Sequence, residues 1–246
     1  MTEKLSEERM ARCRAVEENL ADIRARIARA AEASGRKAED ITLLAATKTV
    51  PVEVINHAIR LGVDFIGENR VQELEEKYDR LERDKCRVHF IGHLQTNKVK
   101  NLVGRVDMIQ SVDSVRLAKE ISRLSVQRGV NTRVLLEVNI GREENKSGVL
   151  PEALEDLLGE ITGMPAISVC GLMAIPPICE ETERLRNYFS LMAEYFVDIK
   201  RKKSDNVAME YLSMGMSGDF EEAILCGANM VRVGSSLFGR RQYPAR

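Results

Sequence analysis

The feature that most constrains this chain is an alternation. Short apolar runs of strand length are mostly followed by longer segments whose apolar residues recur every three or four positions. The candidate strands are residues 41–47, 64–66, 88–91, 107–111, 133–139, 167–174, 210–213 and 231–234. Helical stretches lie between them at 52–61, 71–83, 114–128, 151–162, 181–201 and 220–226. Several strands are apolar throughout, the pattern of a parallel sheet covered on both faces. Eight such units in 246 residues are the arithmetic of a closed α/β barrel, the (β/α)8 TIM barrel. An open doubly wound sheet fits less well, because no strand-turn-helix carries GxGxxG. A helix precedes the barrel. Val16, Leu20, Ile23 and Ile27 share one of its faces, and Ser34-Gly35 ends it. The reading is one domain, with an N-terminal helix in 1–36, the barrel over 41–239, a tail at 240–246 and no additional β-domain.

Charge and cysteine usage remove several function classes. With 37 basic and 38 acidic side chains the net charge is −1, which gives no bulk attraction to nucleic acid or anionic lipid. No apolar run approaches the roughly 18 residues of a membrane span, and the charged N-terminus has no secretory apolar stretch. The five cysteines (Cys13, Cys86, Cys170, Cys179, Cys226) form no CxxC pair, so free thiols in the cytoplasm are expected. The three histidines and the cysteines lack zinc-site spacing, so no metal is expected. Lys200-Arg201-Lys202-Lys203 reads as the solvated C-terminus of a helix, and Lys98, Lys100 and Arg105 as a solvated helix face.

In barrels of this kind the chemistry collects at the C-terminal strand ends. Strand one ends in Lys48, within the run ITLLAATKT. A lysine at an apolar barrel mouth loses hydration, which raises the fraction present as free amine, the form that condenses with aldehydes. Position alone also admits a strand-end lysine snorkelling to solvent. Strand eight and its exit read MVRVGSSLFG, residues 230–239. Gly234, Ser235 and Ser236 open a short helix whose backbone N–H groups suit a phosphate, and Ser213 and Ser217 from the strand-seven exit can add hydroxyls. An ordinary glycine turn with a serine cap is the alternative. Arg232 shares its strand face with Gly234, a face that in a barrel can point inward, where an arginine needs a partner; an ion pair to Glu137 is one reading. An amine, a phosphate cradle and a cationic donor at one mouth together suit a phosphorylated aromatic aldehyde, pyridoxal 5′-phosphate (PLP).

The stretches LLAATKTV, GENRVQE, HFIGHLQTNKVK, IQSVDS, EVNIGREENKSGV, GLMAIPP, LSMGMSGDFEEAI and VRVGSSLFG occur in this order from about Ile41 to Gly239. They closely resemble the pyridoxal phosphate homeostasis protein family, which is similar to the barrel domain of alanine racemase (fold type III). The resemblance implies that Lys48 carries PLP as an internal aldimine. It places Ser213, Gly234 and Ser235 at the phosphate, Arg232 at the pyridine nitrogen, and Asn69 and Met214 along the ring. His93 and Lys146 match motifs near the mouth without an assigned step. Arginine keeps its proton and only donates, so a pyridine facing Arg232 stays largely unprotonated and is a weak electron sink.

The resemblance therefore implies a non-enzymatic carrier that holds PLP, keeps its free concentration low and hands it to apo-enzymes, with no catalytic residue assigned. An amino-acid racemase is the first alternative. It needs a second base, which alanine racemase takes from a partner's β-domain. Here the chain ends at Arg246, Tyr243 is the one tyrosine beyond the strand-eight turn, and Val52 stands four residues after Lys48, where racemases place a tyrosine. Without that β-domain a monomer is expected. The second alternative is a PLP-independent Schiff-base aldolase, with Glu68 or Glu137 as conceivable acid–base groups that read equally well as surface or ion-pair carboxylates.

Overall fold

The computed structural model describes residues 2–202 and 204–239; the tail with Tyr243, and Lys203 of the basic run, lie outside the described residues. The chain opens on helix α1 (Thr2–Ala33). Eight strands follow: β1 (Thr42–Ala46), β2 (Phe65–Glu68), β3 (Arg87–Phe90), β4 (Met108–Val112), β5 (Thr132–Val138), β6 (Ile167–Ala174), β7 (Val207–Ser213) and β8 (Met230–Val233). Each pairs in parallel with the next and β8 closes on β1, so the sheet is the expected barrel. The helices between them are α2 (Val52–Arg60), α3 (Val71–Lys77), α4 (Val115–Arg128), α5 (Leu154–Ile161), α6 (Thr182–Arg201) and α7 (Phe220–Leu225), with a short α8 (Ser235–Phe238) after β8. Between β3 and β4 the connection holds a short 3-10 helix, Thr96–Asn101, which carries Lys98 and Lys100 at the surface, with Arg105 exposed in the turn after it.

Strand alternation sorts the core into two layers. Ala45, Ile66, Phe90, Ile109, Val134, Leu172 and Val231 face outward and join one large cluster with helix residues such as Ile55, Leu74, Ile121 and Phe189. The opposite faces form two small clusters inside the barrel. One is Leu44, Ile91 and Met230, the other Met108, Leu135, Cys170 and Met173; Tyr211 packs on both. An interior this thinly apolar leaves room for polar side chains.

Capping agrees with the sequence at α4, where Ser114 accepts from Leu117 N and Gly129 ends the helix in the left-handed region. Helix α3 stops at Lys77, six residues before the sequence pattern ends, because two 3-10 turns carry the chain down to β3. Strand β7 starts earlier than its apolar run, at Val207, since its first half is only partly covered. α1 lies across α2, α7 and α8 on its Val16, Leu20, Ile23 and Ile27 stripe. Polar ties fix it there: Asn19 Nδ2 donates to Leu237 O at 3.0 Å, and Arg36 donates to Ala228 O at 2.8 Å. Among the described residues no helix is long and apolar enough to cross a membrane, and no group of His, Cys, Asp or Glu is arranged to hold a metal ion. All five cysteines are free.

Candidate functional site

The register of the barrel seam builds the site. Leu44 of β1 pairs with Arg232 of β8, so Ala46 comes level with Gly234, and Lys48 follows on the same inward parity. A side chain at Gly234 would meet Ala46 O at 3.2 Å and Ala46 Cβ at 3.3 Å, so glycine lets the two strand exits run close together. The exits bound a cavity of about 770 Å³, within the range of small-molecule sites. Lys48, Arg232, Gly234 and Ser235, four of the residues read from the sequence, lie on its wall with Met216, Ser217 and Gly218. Lys48 itself is half-buried.

Two backbone donors of the β8 exit, one from Gly234 on the wall and one from Ser236 just behind it, already converge on one oxygen. Gly234 N and Ser236 N each donate to Ser217 Oγ at 3.2 Å. The hydroxyl sits where an anionic oxygen would be held, and the turn is shaped to deliver two N–H groups to a single acceptor. Ser217 is thus part of the cradle, by its own hydroxyl.

Arg232 is fully buried, and burial pushes its pKa down to about 10. It makes no salt bridge to Glu137, the partner read from the sequence, which acts on it only through charge. Its guanidinium is instead held by backbone and hydroxyl oxygens: Nη1 donates to Ser213 O at 2.7 Å and Ser213 Oγ at 2.8 Å, and Nη2 to Ala174 O at 3.0 Å. Ser213 passes the polarity on. Its hydroxyl donates to Gln110 Oε1 at 2.7 Å, and Gln110 Nε2 donates to His89 Nδ1 at 2.8 Å. Burial lowers the His89 pKa to about 3, so the ring is neutral and carries its proton on Nε2. Every bond in this buried chain donates away from Arg232. An amide stands in its middle, so the chain orients the guanidinium and carries no proton along it.

The structure thus seats Ser213 inside the barrel, where its hydroxyl is committed to Gln110 and Arg232, and not on the cavity wall. Met214 is likewise off the wall, fully buried in the outer core. Asn69 lies at the β2 exit and is not on the cavity wall. Its Oδ1 is buried without a hydrogen-bond partner, as are Ser111 Oγ at β4 and Glu137 Oε2 at β5. Glu137, buried and near Asp113, has its pKa raised to about 7. Glu68 is also buried; it faces the helix layer, where its Oε1 accepts from Lys77 Nζ at 2.7 Å and Thr47 Oγ1 at 2.7 Å. Neither carboxylate is the surface group that the sequence admitted. At the rim, His93 Nδ1 lies 3.0 Å from Ser147 Oγ and Lys146 is exposed.

Sequence reasoning missed Gln110 and His89, because isolated polar residues in apolar runs carry no periodic signal. It also missed Ala11, Arg12 and Ala15 of α1, which complete the cavity wall. Among the described residues the charged ones on that wall are Arg12, Lys48 and Arg232, with no carboxylate. The wall therefore favours an anionic ligand that presents a carbonyl to an amine.

Comparison with known proteins gives the following. The family pattern described as alanine racemase, N-terminal domain, matches residues 15–242. A pyridoxal phosphate homeostasis protein of Aquifex aeolicus is 46% identical over 226 residues, covering 92% of this chain and 98% of that protein. The protein of that name from Escherichia coli K12 is 38% identical over 231 residues, covering 92% of this chain and 96% of its own length. Among solved structures, PipY of Synechococcus elongatus with PLP bound superposes with a TM-score of 0.78 at 29% identity, covering 91% of this chain and 100% of that one. An alanine racemase of Clostridium difficile shares the fold at 19% identity and a TM-score of 0.68, with 57% of its length matched.

Proposed function

This chain belongs to the alanine racemase N-terminal domain family, and within it to the pyridoxal phosphate homeostasis proteins, and we propose that it holds PLP covalently at Lys48 as a carrier without turnover. The observation that carries this reading is the cavity wall and the turn behind it: one amine, two guanidiniums and, from Gly234 and Ser236, a pair of converging N–H groups, with no carboxylate among the described lining residues.

Each residue then has a task. The Lys48 amine, level with the cradle across the β1–β8 seam, is the group that holds the aldehyde carbon. Gly234 N and Ser236 N take a phosphate oxygen in place of Ser217 Oγ, and Ser217 adds its hydroxyl to the phosphate. Arg232, locked by Ser213 and Ala174, presents its remaining N–H to the ring nitrogen and keeps it unprotonated. Asn69 Oδ1, buried and unpartnered, suits the ring hydroxyl from the β2 side. When bound, PLP supplies an electrophilic carbonyl and an aromatic electron sink, and a neutral pyridine weakens that sink. Met214 supports the ring only indirectly, through the outer core. Holding and release fit a protein of the cytoplasm whose recipients are apo PLP-dependent enzymes.

An absorbance spectrum of the purified protein, followed by borohydride reduction and peptide mapping, tests the reading. A yellow band that reduction bleaches is expected, with the added mass on the peptide carrying Lys48. Mass on another lysine, or a protein that stays colourless with added PLP, overturns it. Measurable amino-acid epimerisation by the loaded protein overturns the carrier half alone.

A further inference from the structure

We infer that Arg12, on the N-terminal helix, is a specificity-determining residue of the cavity, one that selects ligands ending in a phosphomonoester over their dephosphorylated forms. The inference rests on the reading of the cavity as a PLP site and adds a residue to it. Arg12 lies on the cavity wall together with Ser217 and Gly234, two of the three residues of the anion cradle, and with Ser235 between Gly234 and the third, Ser236. Helix geometry explains why. Arg12, Ala15 and Asn19 are spaced by three and four, so they form one stripe along α1. Asn19 at the end of that stripe donates to Leu237 O, within α8. The stripe therefore faces the turn that opens α8, and Arg12 stands two helical turns further out over the cavity. Ala11 and Ala15 beside it are small, which keeps the approach to the cradle open.

Charge supports the same role. Arg12 is half-buried and, among the described residues, makes no hydrogen bond and no ion pair. Lys48 and Arg232 are spoken for by the aldehyde and ring ends of the ligand, so Arg12 is the cation left for the phosphate. A planar guanidinium offers two parallel N–H donors to a phosphate, a geometry lysine does not match.

The test compares PLP with pyridoxal, which lacks the phosphate, on the full chain and its Arg12→Ala and Arg12→Lys variants, by absorbance titration. Arg12→Ala is expected to weaken PLP binding about tenfold, the scale of one charge-assisted hydrogen bond, and to leave pyridoxal unchanged. Arg12→Lys is expected to restore part of the loss. Equal loss for both ligands, or no loss for either, overturns the inference. A second arm separates this from failure of the PLP reading. Inorganic phosphate, compared with chloride at matched ionic strength, is expected to raise the melting temperature of the wild type more than that of Arg12→Ala, which is expected to need about tenfold more phosphate for the same shift. If the wild type binds neither PLP nor pyridoxal, the cofactor reading falls and this arm alone decides: equal phosphate shifts in both proteins, or none in either, reject Arg12.

Discussion

Replacing Glu137 by glutamine turns the polar interior of the barrel into a measurable pH profile. Burial, with Asp113 nearby, raises the Glu137 pKa from 4.5 to about 7. Between those values the folded protein binds a proton that the unfolded chain has released. Stability therefore falls as the pH rises, by about 1.36 kcal/mol per unit. Two and a half units amount to roughly 3 kcal/mol, absent near pH 4 and fully expressed above pH 7. His89 acts in the opposite sense. Its pKa is lowered from 6.5 to about 3, so the unfolded chain binds the extra proton and stability is lost as the pH falls through that window. From 4.5 to 6.5 the two slopes oppose one another and flatten the wild-type profile. In Glu137→Gln the Glu137 contribution is gone and no longer opposes the His89 slope, while every other titrating group is common to the two proteins. Glutamine keeps the shape of the side chain, and its own burial adds an offset that does not vary with pH. Urea unfolding at pH 4, 5, 6 and 8 reads the difference. With a denaturant slope of about 3 kcal/mol per molar, the variant's midpoint gains roughly 1 M on the wild type between the acid and alkaline ends. A difference between the two proteins that stays constant across the series refutes the assignment of an unpaired carboxyl in the barrel.

Three further outcomes follow from the same geometry. Ser213→Ala removes the hydroxyl that joins Arg232 to Gln110 and leaves Gln110 Oε1 without its donor; it is expected to cost about 2–4 kcal/mol in urea unfolding, and a cycle with Gln110→Ala is expected to show coupling above about 0.5 kcal/mol, whereas additive losses contradict the chain. Lys77→Met strands the buried Glu68 carboxylate and is expected to cost about 3–5 kcal/mol, most of which Glu68→Gln in the same chain is expected to return; a Lys77→Met protein as stable as the wild type refutes the buried pair. Arg232→Glu is expected to shift the absorbance of the PLP-loaded protein and to speed α-proton exchange of added amino acids; spectra and exchange rates that do not change count against a guanidinium at the ring nitrogen.

Much of this was legible in the sequence because it follows from periodicity. Strands alternate with a period of two, so Lys48, Arg232 and Gly234 share a face once β1 and β8 are paired, and the barrel count supplies that pairing. Parity also spoke against Met214. It follows Ser213 by one residue and so points to the opposite layer, where the structure packs it with the helices. The sequence puts Ser213 at the strand-seven exit, where a hydroxyl read alone suggests a phosphate, and only the structure shows Gln110 and Arg232 across the barrel as its partners. Arg12 carried no signal at all. It sits on a helix dense with charge, and only the docking of α1 on α8 turns one of its arginines toward the cavity.

The seam between β1 and β8 has a consequence for the life of the protein. The amine comes from residue 48 and the cradle from residues 234–236, joined only when the last strand zips against the first. That contact spans most of the chain, so it forms late. A nascent chain halted before β8, or a barrel in which β8 has peeled away, has the lysine but nowhere to dock the phosphate. Colour in a translation mixture would then report completed synthesis and closure together, and PLP, by binding only the closed ring, would act as a ratchet against its reopening.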